Sequence, residues 1–467
     1  MSATQPLPVL IVRIIDRDQQ FHIGQRGAGI QPRTLEAYNL LGVLPDIVSR
    51  GMDLRPLRFY KLPGGVEPSK TFNMFPLEDP TPGTPYINTR VLGQAKAEQV
   101  LREHLATYGC HVERGTELCS FEQNTEHVVA HLVKRDGDEE IAETVICSWL
   151  VGTDGARGIV RKHLGLTFLG EALAGQIVFG EIVVKNLTRD YWHCWGEFGS
   201  KMAILRPTED DEIYNFIVSG NIDLEKIYED YDTLVQTLKE ISDRQDLIFG
   251  EIKSKSNNSP NVRVVNKFSE GRVFVAGDAA HVHSPTGGQM LGVNYRWSSI
   301  LLDERHPQQT SGKEKPLIDA YGTNTSDGLH AGDRAPDATG LAVVETGNVG
   351  AETTSLFRIF SSTRHTVLIF SSDSDQITAV LKLAKKLLSR FVRTVVVLPR
   401  DSAPLSATSG ADVVCIDQDG HGYTGYSAGT EGATVAVVRP DGVVGALVGG
   451  PTGLETYFRN VFSNVKA

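Results

Sequence analysis

Apolar and polar positions along this chain follow two rhythms, and the changes between them mark its elements. Short apolar, partly β-branched runs at residues 9–12, 273–276, 366–370, 393–398 and 434–439 predict buried strands. Residues 13–17 (RIIDR) predict a second strand that carries an acid, Asp16, near its end. Stretches at 111–114, 118–123, 128–134 and 143–151 read as a meander, and Arg135-Asp136-Gly137-Asp138 supplies its hairpin turn. Strand-like runs return at 175–185, 201–206 and 213–218. Leu35, Tyr38 and Leu41 recur at helical spacing within 32–41, and further helices are expected at 91–108, 234–242 and 376–389. Residues 54–88, rich in Pro and Gly, predict loops and short strands.

The most informative stretch is residues 271–289, GRVFVAGDAAHVHSPTGGQ. A buried parallel strand runs to Ala276, Gly277 and Asp278 end it, and Pro285, Gly287 and Gly288 open an expected helix. Ligands of open α/β sheets sit beyond the carboxyl ends of strands, where loop amides and helix N-termini gather. An Asp there can accept hydrogen bonds from sugar or ribityl hydroxyls, and glycines let backbone approach a flat ring. His281 and His283 in this loop read as structural rather than catalytic. The pattern recurs at 149–165, where an apolar strand meets Asp154-Gly155 and a helix.

An acid at the end of a second strand, such as Asp16, ordinarily binds the adenosine ribose of a dinucleotide. Yet Val12 is followed at once by Arg13. A GxGxxG turn and crossover helix would add roughly 20–25 residues between two such strands. Residues 9–16 therefore read as one longer strand or a distorted remnant of the unit. Tyr191-Trp192-His193-Cys194-Trp195 places aromatics on both sides of a strand, to line an apolar pocket or to pack in a core.

At 467 residues, with 40% hydrophobic and 22% charged residues, the chain has the composition of a soluble globular protein of two or three domains. A formal net charge of -11 without a long basic block argues against nucleic acid as a partner. The five cysteines show no CxxC and no metal-type spacing, so no metal site is expected and a reducing compartment is. No apolar run approaches a membrane span, and the first residues lack a signal-peptide pattern, so a cytoplasmic location without membrane contact is expected.

Together the two strand-Asp-helix strings resemble the FAD-binding motifs of flavoprotein aromatic hydroxylases, the phenol 2-monooxygenase and polyketide hydroxylase relatives. The resemblance implies an α/β fold: a Rossmann-like FAD-binding domain of para-hydroxybenzoate hydroxylase type, an antiparallel β substrate domain and a C-terminal thioredoxin-like domain. Expected boundaries are 1–165 and 262–327 for the two FAD-binding parts, with a substrate-face insertion at about 54–90. The substrate domain would span 166–261 and the C-terminal domain 328–467.

By the same resemblance, Asp16, Arg26, Gln94, Asp154, Asp278, Pro285, Gly287 and Gly288 would bind FAD, with Gln94 in a QxxxE helix. Gly158 stands where the family usually has Ser. The family's active-site aspartate is matched by Ala28, so no catalytic residue is carried over. After Gln289 a second stretch is missing by this resemblance, with Gly292-Val-Asn294 as a remnant and 301–307 matching a later LL…ERxP segment. The implied activity is hydroxylation of a small phenolic or polyketide-type aromatic with NAD(P)H and O2, in secondary metabolism or aromatic degradation. The C-terminal domain, lacking CxxC, would serve interaction or homodimer formation. The absent glycine turn points instead to a flavin-deficient relative that acts, if at all, in binding or dimerisation.

Overall fold

The computed structural model describes residues 12–462, apart from 26, 138, 173–174, 198, 260, 284–292, 297, 307–327, 346–347, 389, 403–407, 409 and 430–432. The chain forms two compact units: Met1–Gly29, Asp46–Pro76 and Arg90–Gly288 make the first, and Ile30–Pro45, Leu77–Thr89 and Gln289–Ala467 the second.

The first unit is built on a seven-stranded sheet in the order Ile248–Asn258, Ile177–Lys185, Ile213–Gly220, Lys201–Pro207, Trp192–Gly196, Leu57–Tyr60, Pro68–Phe72. All neighbours are antiparallel except Trp192–Gly196 beside Leu57–Tyr60. Two-residue alternation decides its faces. Val178, Ile182, Trp195, Leu205, Tyr214 and Phe216 pack against the helices Leu224–Glu229 and Tyr231–Ser242. Each such side chain contributes about 1.5–3 kcal/mol on full burial. Asp223 and Asp230 start those helices by accepting the amide hydrogens of Lys226 and Thr233, at 3.0 and 2.8 Å. Leu57, Cys194 and Met202, with Phe59, Trp192 and Ile204, lie on the opposite face.

Outside that sheet, the parallel strands of this unit fall into two separate pairs. Ile14–Asp16 pairs with Val112–Arg114, and Leu150–Gly152 pairs with Val273–Val275. Among the described residues no strand hydrogen-bonds the one pair to the other. Val273, Val275, Val160, Ala279 and Ala280 share a core on one face of the second pair, while Val151 and Phe274 on the other are 59% and 38% exposed. Parallel sheets are normally covered on both faces. Of the expected strand at 9–12, residues 9–11 lie outside the described residues and Val12 is exposed outside any strand.

The expectation of one strand at 143–151 is corrected. Glu139–Cys147 closes the antiparallel meander on Val128–Asp136, and Leu150–Gly152 leaves for a parallel partner more than a hundred residues away. A single straight strand cannot serve both pairings, so the chain breaks at Ser148-Trp149.

The second unit carries an eight-stranded sheet in the order Leu302–Asp303, Val444–Val448, Thr434–Val438, His365–Phe370, Val392–Leu398, Val413–Asp417, Leu341–Glu345, Asn348–Thr354. Alternation again divides it. Val367, Ile369, Val396, Leu398, Val435 and Val437 pack under the helices Ser374–Leu388 and Pro451–Val461. Leu368, Phe370, Val395, Val397, Ala436 and Val438 pack against Leu356, Phe357, Phe360 and Tyr426. Helix Pro32–Leu41 belongs to this unit; its Glu36 is 1% exposed and paired with both Arg33, at 2.8 Å, and Arg334.

Candidate cofactor and substrate site

Strand Val273–Val275 ends at Ala276, whose amide donates to the Gly152 carbonyl at 3.0 Å. A single 3-10 turn, Gly277–Ala279, follows, with Gly277 at φ +57°. That turn leaves Asp278 exposed beyond the carboxyl end of the strand, with no hydrogen bond to another described residue. Its carboxylate is available to a ligand's hydroxyls. Pro285, Gly287 and Gly288, and the helix expected from them, lie outside the described residues, as does Arg26.

Asp154 follows strand Leu150–Gly152, and its Oδ2 accepts the Val160 amide at 2.9 Å, at the head of the short helix Ile159–His163. A Cβ at Gly158 would lie 2.1 Å from the Asp154 carboxyl carbon. A side chain such as the serine expected from the resemblance cannot stand at position 158 while Asp154 keeps this cap. Buried Arg161 joins the two Asp loops, donating to the Ala279 carbonyl at 3.0 Å and the Ala156 carbonyl at 2.6 Å. The structure thus brings the loops of Asp154 and Asp278 together.

Asp16 ends strand Ile14–Asp16 and its Oδ1 accepts the Asp18 amide at 3.0 Å in an exposed turn. Gln94 opens helix Gln94–Ala106 and donates to Glu98 Oε1 at 2.8 Å, so it is turned along its own helix.

The seven-stranded sheet holds a cluster that sequence reasoning missed. Arg206 shares the face of Met202 and Ile204, and its guanidinium lies over the Trp192 ring at 5.0 Å. It donates through Nη2 to Gln25 Oε1, while its buried Nε has no hydrogen-bond partner among the described residues. Gln25 donates in turn to Glu209 Oε2 at 2.8 Å, and Glu209 Oε1 accepts the Gly93 amide at 3.2 Å. Burial lowers the Arg206 pKa to about 10, with Glu209 and Glu181 opposing that shift, so the group stays cationic at neutral pH. Burial chiefly, then Glu209, raises the Glu181 carboxyl. The only trace in the sequence is one arginine in a strand position otherwise held by Met202 and Ile204.

The aromatic run divides as alternation requires. His193 and Trp195 lie on the helix-covered side, where Trp195 Nε1 donates to the Gly65 carbonyl at 2.9 Å, and Trp192 lies on the Arg206 side. His281 sits in strand His281–Val282, and its ring stacks on His283 at 6.1 Å.

Residues 10–295 match a family model described as FAD binding domain. A flavin-dependent monooxygenase of Mycobacteroides abscessus is 31% identical over 314 residues, covering 66% of this chain and 65% of that protein. The 6-methylpretetramide 4-monooxygenase of Streptomyces rimosus is 32% identical over 323 residues, 66% of this chain and 54% of that one. The chain therefore aligns with between 54% and 65% of the length of these two relatives. In fold it is similar to aklavinone-11 hydroxylase, solved with FAD and aklavinone, with a TM-score of 0.74 at 20% identity over 97% of this chain and 95% of that one. The flavin-dependent monooxygenase PieE, solved with FAD and substrate, gives a TM-score of 0.74 at 15% identity over 96% and 94%. With its strand-Asp turns in place and 286 consecutive residues (295 − 10 + 1) matched, the chain belongs to the FAD binding domain family.

Proposed function

We propose that this protein is an FAD-dependent monooxygenase that hydroxylates a small aromatic, phenolic or polyketide-type substrate with NAD(P)H and O2. The observation that carries the reading is Asp278, whose carboxylate is presented without a partner among the described residues beyond the carboxyl end of a parallel strand. When bound, the flavin would supply hydride acceptance and oxygen activation. Asp278 would accept hydrogen bonds from ribityl hydroxyls, and Asp16 from the adenosine ribose. Arg26, Gln94, Asp154, Pro285, Gly287 and Gly288 belong to the same proposal through the family pattern. Arg161 fixes the two Asp loops at one spacing.

Arg206, held by Gln25 above Trp192, would hold a phenolate or other anionic substrate oxygen in place. The thioredoxin-like identity of residues 328–467 is supported by a strand-helix-strand unit of parallel strands His365–Phe370 and Val392–Leu398. An antiparallel hairpin, Thr434–Val438 with Val444–Val448, and a last helix, Pro451–Val461, complete the pattern. A homodimer through this domain belongs to the proposal.

A visible spectrum of the purified full chain, with and without added FAD, tests the reading. A flavin band retained through desalting, and substrate-stimulated NAD(P)H oxidation, are expected. The separate pairing of the two parallel strand pairs favours a second reading, a flavin-deficient relative. Loss of all flavin on desalting would select it. In a flavin-retaining protein, Arg206→Met is expected to raise KM for a phenolic substrate about 10- to 100-fold, as loss of a charge-assisted hydrogen bond does.

A further inference from the structure

Strand Leu302–Asp303 lies parallel to Val444–Val448, with Asp303 opposite Leu447. Beyond it the chain turns sharply. Asp303 Oδ1 accepts the amides of Arg305 and His306 at 3.1 and 3.0 Å, and Oδ2 accepts that of Ala331 at 2.8 Å. These bonds fix the carboxylate and set His306 on one side of it and His330 on the other. The two imidazole rings stack with centroids 3.9 Å apart, inclined by 28°. His306 Nδ1 lies 3.6 Å from Asp303 Oδ1. One donor atom from each of Asp303, His306 and His330 falls within 4.8 Å of the others.

Charges nearby leave this carboxylate unclaimed. Arg305 points away, donating to the carbonyls of Tyr426, Ser427 and Leu329. Arg296 is paired with Asp333 at 2.6 Å. Among the described residues no Lys or Arg pairs with Asp303. His330 Nε2 is buried and makes no hydrogen bond to another described residue. A buried imidazole nitrogen without a partner among the described residues, beside a second imidazole and a fixed carboxylate, can offer its lone pair to a metal ion when the ring proton sits on Nδ1.

We propose that Asp303, His306 and His330 bind a divalent transition-metal ion of the zinc type. Two imidazole nitrogens and one carboxylate oxygen suit Zn2+ or Co2+, whereas Mg2+ and Ca2+ take oxygen ligands. Ligand atoms around a tetrahedral ion with bonds of about 2.0–2.1 Å stand about 3.3 Å apart, so closure needs side-chain movements of the order of 1 Å. His306, 38% exposed at its side chain, leaves a path for the ion and a fourth position for water. No cysteine takes part, which is why cysteine spacing was silent about the site. The bound ion would tie the end of strand Leu302–Asp303 to a residue 24 positions (330 − 306) beyond His306.

The test is a titration of the full chain with Zn2+ against a competing chromophoric chelator, and with Co2+ by visible absorption. One ion per chain is expected, with a Co2+ spectrum lacking thiolate charge-transfer bands. His306→Ala should weaken Zn2+ binding by more than about 100-fold, and His330→Gln similarly. Because His306 is partly exposed, its variant carries the test if His330→Gln fails to fold. A Zn2+ rise in melting temperature seen in the parent and lost in His306→Ala supports the site. No one-to-one binding, unchanged affinity in His306→Ala, thiolate bands, or a preference for Mg2+ would each overturn it. None of these outcomes bears on flavin retention.

Discussion

Gly158 shows how one missing side chain can decide what its neighbour does. The Asp154 carboxyl occupies the space a Cβ at 158 would need, and uses it to cap Ile159–His163. Gly158→Ala should displace Asp154 from the Val160 amide and cost about 0.5–2 kcal/mol, the range for losing a helix cap, measured by urea unfolding. His193 is a second position where surroundings override the residue's usual behaviour. Its Nε2 faces the Thr188 carbonyl at 2.8 Å and so carries the proton, which leaves Nδ1 to accept from Tyr60 Oη at 2.5 Å. Burial lowers its pKa from 6.5 to about 4. A histidine whose folded pKa is depressed costs nothing above the unfolded value near 6.5. Below it the unfolded chain binds more protons, so stability falls from about pH 6.5 to pH 4, by on the order of 3 kcal/mol. His193→Gln retains a donor and an acceptor but cannot titrate. Urea midpoints at pH 7 and pH 4.5 should therefore converge in the variant relative to the parent; an equal acid loss in both would refute the assignment.

Among elements, the strand Ile177–Lys185 sits between two antiparallel neighbours and depends on Gly180, where a Cβ would lie 2.1 Å from the Ser254 carbonyl oxygen. The obstruction is backbone, which cannot swing aside. Gly180→Ala is expected to cost more than about 3 kcal/mol and to lower the melting temperature by well over 5 °C, read by calorimetry. Element type was largely legible from hydrophobic rhythm. Helix Pro32–Leu41 appears with the bounds its spacing predicts, and expected strands such as 128–134 and 366–370 form with ends shifted by a residue or two. Helix 91–108 shortens to Gln94–Ala106, because Gly93 is extended and ends the preceding strand connection. Illegible were Leu224–Glu229 and Ile248–Asn258, since a six-residue helix and a polar strand with no buried residue carry too little periodic signal.

Across the whole molecule, ion pairs join parts of the chain that sequence keeps far apart. Glu36 and Arg334 pair inside the second unit, with Glu36 also held by Arg33. Glu36→Gln would leave two partly buried guanidinium groups without their carboxylate and should cost about 3 kcal/mol, visible as earlier unfolding of that unit in limited proteolysis. Among the described residues no helix is long and apolar enough to cross a membrane. The sequence by itself determined the strands, the Asp-bearing turns at 154 and 278 and hence the family, because these rest on local periodicity and on residue types at fixed spacing. Only the tertiary structure decided that Asp154 caps its own helix, that Arg206 is buried over Trp192 and held by Gln25, and that Asp303, His306 and His330 converge. Those facts depend on which strands pair and which side chains meet across hundreds of residues, and no local pattern encodes that.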